Sequence, residues 1–282
     1  MDISLVISTR NRASQLEQAL DSYARLQHQP AWELVIVDNG SSDATPQVLA
    51  EFGRRFTGNV RFLQHARPGL GGARNVGWRA ARGDIVAFTD DDCYPQQDYL
   101  THICSCFSDP RYGFVGGRVL LYDPLDYPIT IQLSDRRMEF PPRSYIAPGQ
   151  AHGANFAFRR QVLEAIGGFD ERLGAGTKYH SAEDTDAMAR VSALGWWGLY
   201  DPAPTVSHHH RRRDASEIQR MRKGHGIGTG AYFIKCLANP DLRGKYLLRW
   251  PNAMVHAGFR RSMWQLVGAW RFLATERSPK RP

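Results

Sequence analysis

Three consecutive aspartates, Asp90, Asp91 and Asp92, close an apolar run in IVAFTDDDCYP, residues 85–95. Like charges side by side repel. A carboxylate triplet after a strand-like run therefore needs either a positive partner or full solvation. On an extended turn, Asp-x-Asp spacing puts two carboxylates on one side. Hard divalent cations take oxygen ligands, and Mg²⁺ is often held by one or two carboxylates plus substrate phosphates. Taken alone, the triplet fits a solvated turn as well as a metal site. A second acidic group lies in AEDTDAMARVSALGW, where Glu183 and Asp184 are followed by Asp186. A carboxylate facing a polar cavity is a natural general base for a hydroxyl, and acids in a first helical turn also stabilise the helix dipole. His208, His209 and His210 follow the strand-like PTV. Imidazole is a common metal ligand, but consecutive strand residues point to alternate faces, so at most one or two can serve one ion. A solvated basic patch with Arg211, Arg212 and Arg213 is the plainer reading.

Asp38 ends the run ELVIVD, where a carboxylate can accept hydrogen bonds from a base or a ribose hydroxyl. A turn aspartate within DNGSSD serves equally. The loop GLGGARNVG fails the dinucleotide fingerprint, because its third glycine position is Arg74, and no Gly-Lys-Ser/Thr follows. What remains is a glycine-rich helix start whose amides favour anions, with Arg74 in reach of a phosphate or simply on the surface.

The elements that must hold these groups alternate through the first half. Apolar β-branched runs at 3–8, 33–38, 60–65 and 84–90 alternate with helical patterns in QLEQALDSYARL, TPQVLAEFGRRF and the glycine-rich segment. Ser41, Ser42 or Asp43 can cap the second helix. This spacing implies βαβ units and a parallel sheet with helices on both faces. In such sheets ligands bind at the carboxyl ends of the strands, which here carry Thr9, Arg10, Asp38 and Asp90–Asp92. Further strands are expected at YGFVGGRVLLYD, GANFAFRR and WGLYDPAPTVSH, and helices at QVLEAIGGFDERL and at 182–196. Residues 123–150 read as a long excursion.

The chain has 282 residues and a formal net charge of +8, from 36 Lys and Arg against 28 Asp and Glu. That balance suits anionic partners such as phosphates, nucleic acid or an acidic membrane surface. Cys93, Cys104, Cys106 and Cys236 form no CxxC pair, which is the pattern of free thiols in a reducing cytoplasm. No signal peptide and no spanning helix are expected. The last segment mixes Trp264, Trp270, Phe259 and Phe272 with Arg260, Arg261 and Arg271. Such a helix either lies on an anionic membrane or packs on the domain with a solvated basic side.

Five stretches, VISTRNR, LVIVDNGSSD, GGARNVGWRAARGDIVAFTDDDCYP, GGFDERLGAG and AEDTDAMARVSALGW, stand in an order and spacing that resembles the family 2 glycosyltransferases. These are inverting enzymes of the nucleotide-binding GT-A fold. The resemblance covers about residues 3–210. It implies an α/β fold with a mostly parallel nucleotide-binding sheet flanked by helices. Residues 1–213 would form the catalytic domain, with 1–120 the nucleotide-sugar half and 121–213 the acceptor half. Residues 214–282 would be a basic helical extension.

The resemblance also implies roles. Thr9, Arg10, Asp38, Arg74, Asp90 and Asp91 would bind the nucleotide-sugar, with UDP as the nucleotide. Asp92, completed by His208, would hold a divalent cation, Mn²⁺ or Mg²⁺, that bridges the diphosphate. Asp184, with Glu183 beside it, would deprotonate the acceptor hydroxyl. The acceptor would be a saccharide or lipid-linked, as in polysaccharide or glycolipid synthesis. The protein would be cytoplasmic or peripheral on the inner membrane face, touching lipid through its C-terminus, and no nucleic acid is expected. Two other readings are a sugar nucleotidyltransferase and a non-catalytic membrane- or polyanion-binding protein. The first needs a glycine-rich triphosphate loop where STRNRAS stands. The second gives no reason for so many clustered acids in a basic chain.

Overall fold

A computed structural model describes residues 1–27 and 30–276. The last six residues of the expected extension therefore lie outside the described residues. The first half builds β1 (Ile3–Thr9), α1 (Leu16–Ala24), β2 (Trp32–Asp38), α2 (Thr45–Arg55), β3 (Val60–Gln64), α3 (Leu70–Ala80) and β4 (Ile85–Asp90). These strands pair in parallel in the order β3-β2-β1-β4. β1, β2 and β4 are apolar almost without a break because both faces are covered. Ile3, Leu5, Ile7, Leu34 and Ile36 face Leu16, Leu20, Tyr23, Leu49 and Phe52 of α1 and α2. Val6, Val35, Val86 and Phe88 share the opposite layer with Trp78 of α3. Asp43 receives the Thr45 amide at 3.0 Å, so of the three candidate caps it is the one that closes the start of α2.

The register is what matters for the site. Thr9 stands opposite Asp38 in the β1–β2 pair, and Ser8 opposite Asp90 in the β1–β4 pair. The polar residues therefore leave the sheet within one row of each other along a single edge.

After β4 come β5 (Cys93–Pro95), α4 (Tyr99–Cys106), β6 (Tyr112–Leu121), β7 (Met138–Phe140), β8 (Asn155–Arg159), α5 (Arg160–Ile166), α6 (Glu183–Ala193) and β9 (Trp197–His208). The sheet continues β4-β8-β6-β9-β5, with β7 on β9. β8 runs antiparallel to both β4 and β6, and β5 and β7 run antiparallel to β9. The expected parallel arrangement thus belongs to the first half, and the complete sheet is mixed. β5, α4 and β7 have no counterpart in the sequence reading: a three-residue strand is too short to show a period of two. The excursion over 123–150 is pinned rather than loose. The buried Asp126 carboxylate accepts from Arg213 Nε at 2.9 Å and from the Arg211 amide at 2.8 Å. All four cysteines are free.

The C-terminal extension forms α7 (Ala215–Ala238), α8 (Pro240–Ala257) and α9 (Phe259–Glu276). Among the described residues, no helix is long and apolar enough to cross a membrane. α7 is docked through glycines on two sides. A Cβ on Gly224 or Gly228 would meet His180 Cβ at 3.0 Å or Ser181 Oγ at 2.2 Å, just ahead of α6. On the other side, a Cβ on Gly230 would lie 1.9 Å from the Gln265 carbonyl, and one on Gly268 would lie 2.0 Å from that of Ile227. Buried Tyr232 of α7 donates to the Ile146 carbonyl at 2.8 Å, tying the extension to the excursion. The outward face of α9 leaves Phe259, Met263, Leu266, Trp270 and Leu273 exposed. Their spacing of four and three marks one stripe along the helix.

Because the α7–α9 contact is backbone against backbone, it has no flexible atoms to move aside. Gly230→Ala and Gly268→Ala should each lower unfolding stability by about 1–3 kcal/mol, despite a gain in helix propensity of up to about 1 kcal/mol. Urea denaturation would measure this, and the double variant should cost less than the sum because both act on one crossing. Unchanged midpoints would contradict the close packing.

Candidate active site

The strand ends open into one cleft of about 1030 Å³, large enough for more than one small ligand. It is lined by Ser8, Thr9, Arg10, Arg12, Asn39, Arg74, all three aspartates, His152, Glu183, Asp184 and His208. It is also lined by residues of α7 and by Arg261 of α9.

The aspartate triplet is stabilised by individual partners. Tyr23 fixes its backbone, donating to the Asp90 and Cys93 carbonyls at 2.9 and 3.2 Å. Asp90 accepts from Arg74 at 3.2 Å. Asp91 lies 3.6 Å from Arg12 Nε, and Asp92 lies 3.4 Å from Arg12 Nη2. Burial pushes Asp91 up to about 7, against the pull of Arg12 and with the added repulsion of Asp92. Burial also works against ionisation of Asp92, yet the His208 hydrogen bond and charge, with Arg12, hold it down at about 2.

His208 reaches the triplet because β5 pairs with β9, setting Cys93 opposite His208. The His209 amide donates to the Asp92 carbonyl at 2.8 Å. The Thr130 carbonyl can only accept, so His208 Nδ1 carries the proton across that 3.1 Å contact. The same contact orients Nε2 toward Asp92 Oδ1, 3.2 Å away. Burial disfavours the charged ring, but Asp92 and Asp90 raise its pKa overall. Ligand atoms of Asp90, Asp92, Cys93 and His208 all lie within 4.8 Å of one another. Two carboxylates and one imidazole fit Mn²⁺ or Mg²⁺. Cys93 does not join them as a thiolate, since burial and then the Asp92 and Asp90 charges push its pKa well above the usual range. His209 and His210 turn elsewhere, His209 to Tyr94 Oη at 3.1 Å and His210 to the Tyr127 carbonyl at 3.0 Å.

Arg74 is buried rather than displayed on a helix surface. Its guanidinium donates to Glu183 at 2.7 Å, to the Gly153 carbonyl at 2.8 Å and to Asp90. It lies 4.9 Å from the Phe156 ring centre. Glu183 is thereby committed to Arg74, and burial with the Asp184 charge lifts its pKa to about 7 against the pull of Arg74. Asp184 is half-buried and makes no ion pair among the described residues. One of its oxygens accepts the Thr185 amide at 2.7 Å. The other sits where a Cβ on Gly153 would approach to 2.6 Å, so Gly153 clears its place. His180 and Ala182, just before these acids, hold left-handed φ angles of 64° and 78°. Non-glycine residues rarely stay there unless their surroundings impose it.

Ser8 Oγ is buried at the cleft without a hydrogen-bond partner in the protein, which leaves it for a ligand, while the buried Thr9 hydroxyl faces Asp91 and favours its charged form. Arg10 is exposed at the cleft. Asp38 is buried and turns back to accept the Ser41 amide at 2.9 Å, while Asn39 lines the cleft at that strand end. The sequence reading missed Arg12, Ser8, Asn39, His152 and His225. Arg12 was visible only as the second arginine of TRNR, and nothing local marked it. Burial above all keeps His152 and His225 near 4, hence neutral at pH 7.

This sheet and cleft are those of the GT-A glycosyltransferases. A mannosyltransferase from Pyrobaculum calidifontis, solved with GDP-Man and Mn²⁺, superposes with a TM-score of 0.68 at 20% identity, over 99% of this chain and 76% of its own. S. aureus TarS in complex with UDP-GlcNAc gives 0.66 at 16% identity, over 97% and 81%. Residues 4–167 match glycosyl transferase family 2, and the chain belongs to that family. It is 29% identical to the pre-mycofactocin glycosyltransferase of Mycobacterium tuberculosis over 78% of its own length, but spans only 45% of that relative. It is 28% identical to the glycosyltransferase AglE of Haloferax volcanii, over 94% of this chain and 80% of that one.

Removing Arg74 leaves the buried Glu183 and the half-buried Asp90 without their cation. Arg74→Met should cost about 3–5 kcal/mol at pH 8. The pH dependence follows from Glu183, whose pKa of about 7 in the fold already lies above its ordinary value. A raised carboxyl contributes stability at low pH that is lost as pH rises through the folded pKa. Losing Arg74 raises that pKa further, so the deficit should shrink from pH 8 to pH 5. Adding Glu183→Gln should recover part of it at pH 8. Urea melts at both values test this, and a pH-independent deficit would contradict it.

Proposed function

We propose that the chain is a metal-dependent, inverting glycosyltransferase, moving a sugar from a nucleotide-diphospho-sugar to an acceptor hydroxyl. One observation carries this reading. Asp184, the acid of its pair not engaged by an arginine, opens on the same cleft as the Asp90, Asp92 and His208 cluster. The unpartnered Ser8 hydroxyl beside that cluster suits a nucleoside. UDP is the nucleotide that the family resemblance implies, and the similar solved structures hold GDP-Man in one case and UDP-GlcNAc in the other.

Asp92 and His208, with Asp90, would hold a divalent cation. Bound there, the ion supplies positive charge to the diphosphate leaving group. Asp90 and Asp91 are kept in place by Arg74 and Arg12, so the donor side is arranged before substrate arrives. Asp184 takes the proton from the acceptor hydroxyl as its oxygen attacks the anomeric carbon. The nucleotide diphosphate departs from the opposite face, so the configuration inverts. Glu183 is a positioning residue: bonded to Arg74, it fixes the first turn of α6 from which Asp184 projects. Arg74 in turn adds charge beside Asp90.

The test is a thermal-shift screen of nucleotide sugars with and without Mn²⁺, followed by turnover. UDP-sugar should stabilise the protein only with the metal. EDTA and Asp92→Asn should abolish that shift. Asp184→Asn should keep it while lowering turnover by about 10²–10⁴-fold. A shift that persists in EDTA, or an active Asp184→Asn, would count against the assignment.

The acceptor is a saccharide or a lipid-linked one, and the C-terminal helices would meet the inner membrane face. The exposed α9 stripe, flanked by Arg260 and Arg271, supports that contact. The protein should sediment with vesicles containing phosphatidylglycerol and not with neutral ones. Phe259→Ser with Trp270→Ser should release it, and unchanged sedimentation would refute the contact.

A further inference from the structure

Asp184 apart, the acids of the cleft are paired, and most of its cations are not. Arg12 and Arg74 are matched to aspartates and to Glu183. On the opposite wall, α7 brings Arg220, Arg222 and Lys223 to the cleft, and the start of α9 brings Arg261. Among the described residues, none of these four forms an ion pair with an acid. Arg220 hydrogen-bonds the Ser216 hydroxyl at 3.1 Å and feels the Asp214 charge without forming an ion pair. Lys223 Nζ lies 4.2 Å from the Trp264 ring centre, which holds a cation without neutralising it. Arg222 also lies close enough to disfavour the Arg261 charge, which burial already opposes. Like charges gathered without counter-charge cost folding free energy, so a ligand that supplies negative charge there is bound with that repulsion relieved.

The wall also has a side. His225, one turn along α7 from Met221, feels Arg261 and Arg212 and also Asp184. Arg261 and Asp184 are therefore both within electrostatic reach of His225, on the α7 side of the cleft. Two anionic requirements follow. The donor diphosphate belongs with the triplet and its cation, and the α7–α9 wall needs an anion of its own.

We propose that Arg220, Arg222, Lys223 and Arg261 form a subsite for a phosphate-class anion carried by the acceptor, next to the hydroxyl that Asp184 deprotonates. This rests on the glycosyltransferase reading for the word acceptor; the anion site itself does not. Arginine and lysine together suit phosphate oxygens, one through its planar fork and the other as a point charge. Phosphate on a lipid tail and phosphate on a soluble saccharide share this chemistry. The helices that form the wall also carry the outward apolar stripe.

The test uses the full chain in EDTA, where no metal can recruit phosphate to the triplet. Inorganic phosphate and dodecyl phosphate are titrated by calorimetry, with glucuronate as a carboxylate comparison. Both phosphates should bind, and Arg222→Gln/Lys223→Gln/Arg261→Gln should weaken them by about tenfold or more. All three positions are exposed, so the triple variant should keep the wild-type melting temperature. With Mn²⁺ restored, it should also keep the nucleotide-sugar shift. Dodecyl phosphate binding much tighter than phosphate assigns a lipid-borne acceptor, and equal binding assigns a soluble one; either supports the subsite. Phosphate binding unchanged in the triple variant overturns it, as does glucuronate binding as well as phosphate. Loss of the Mn²⁺-dependent nucleotide shift in the triple variant also overturns it, by assigning the wall to the donor. If wild type lacks that nucleotide shift, the glycosyltransferase reading fails while the phosphate titrations still decide the anion site.

Discussion

A single buried guanidinium organises the cleft. Arg74 sits on α3, in the first half of the chain, and holds Glu183 of α6 in the second half and Asp90 at the end of β4. It also takes the Gly153 carbonyl, so four segments meet on one side chain. Burying a charge is unfavourable unless its hydrogen bonds are satisfied, and here that demand fixes where the acids must stand. Glu183 is consumed in satisfying it. Asp184, next along the helix, is left with an open carboxylate. The division of labour between two adjacent acids is thus a matter of which one the arginine takes.

The same logic answers how three consecutive aspartates coexist. Each has a neighbour of opposite charge: Arg74 for Asp90, Arg12 for Asp91, and Arg12 with His208 for Asp92. The balance is unequal. Asp92 is held ionised far below neutrality, whereas Asp91 is lifted to about 7. The triplet is therefore not three equivalent ligands, and its most acidic member is the one that faces the imidazole.

Much of this was legible in the sequence, for a definable reason. The parallel strands announce themselves because both faces are buried, and the ends of β1 and β4 deliver Thr9 and the triplet to the predicted edge. Asp184 and His208 were singled out by the family resemblance rather than by their local pattern, and both line the cleft. What stayed hidden depends on contacts distant along the chain. Arg12 is 80 positions from Asp92, and Arg74 is 109 from Glu183. No local pattern carries such pairings. The β5–β9 pair that delivers His208 rests on three residues. Asp38 stands at the expected strand end, and there one of its carboxylate oxygens, Oδ1, also closes its own turn through the Ser41 amide, a local contact the strand pattern does not announce.

The glycines of α7 bear on how such an enzyme can change over evolution. Gly224 and Gly228 lie against His180 and Ser181, the residues whose backbone leads into Glu183 and Asp184. The family match ends at residue 167, well before this contact. A recombination event that exchanged the C-terminal helices between relatives at that boundary would carry the acid pair and its support across together. One made after Asp214 would part them, setting a foreign helix against a backbone turn already held at left-handed angles. The loop and its helix therefore form one packed unit, and a junction placed upstream of residue 180 keeps their contact intact.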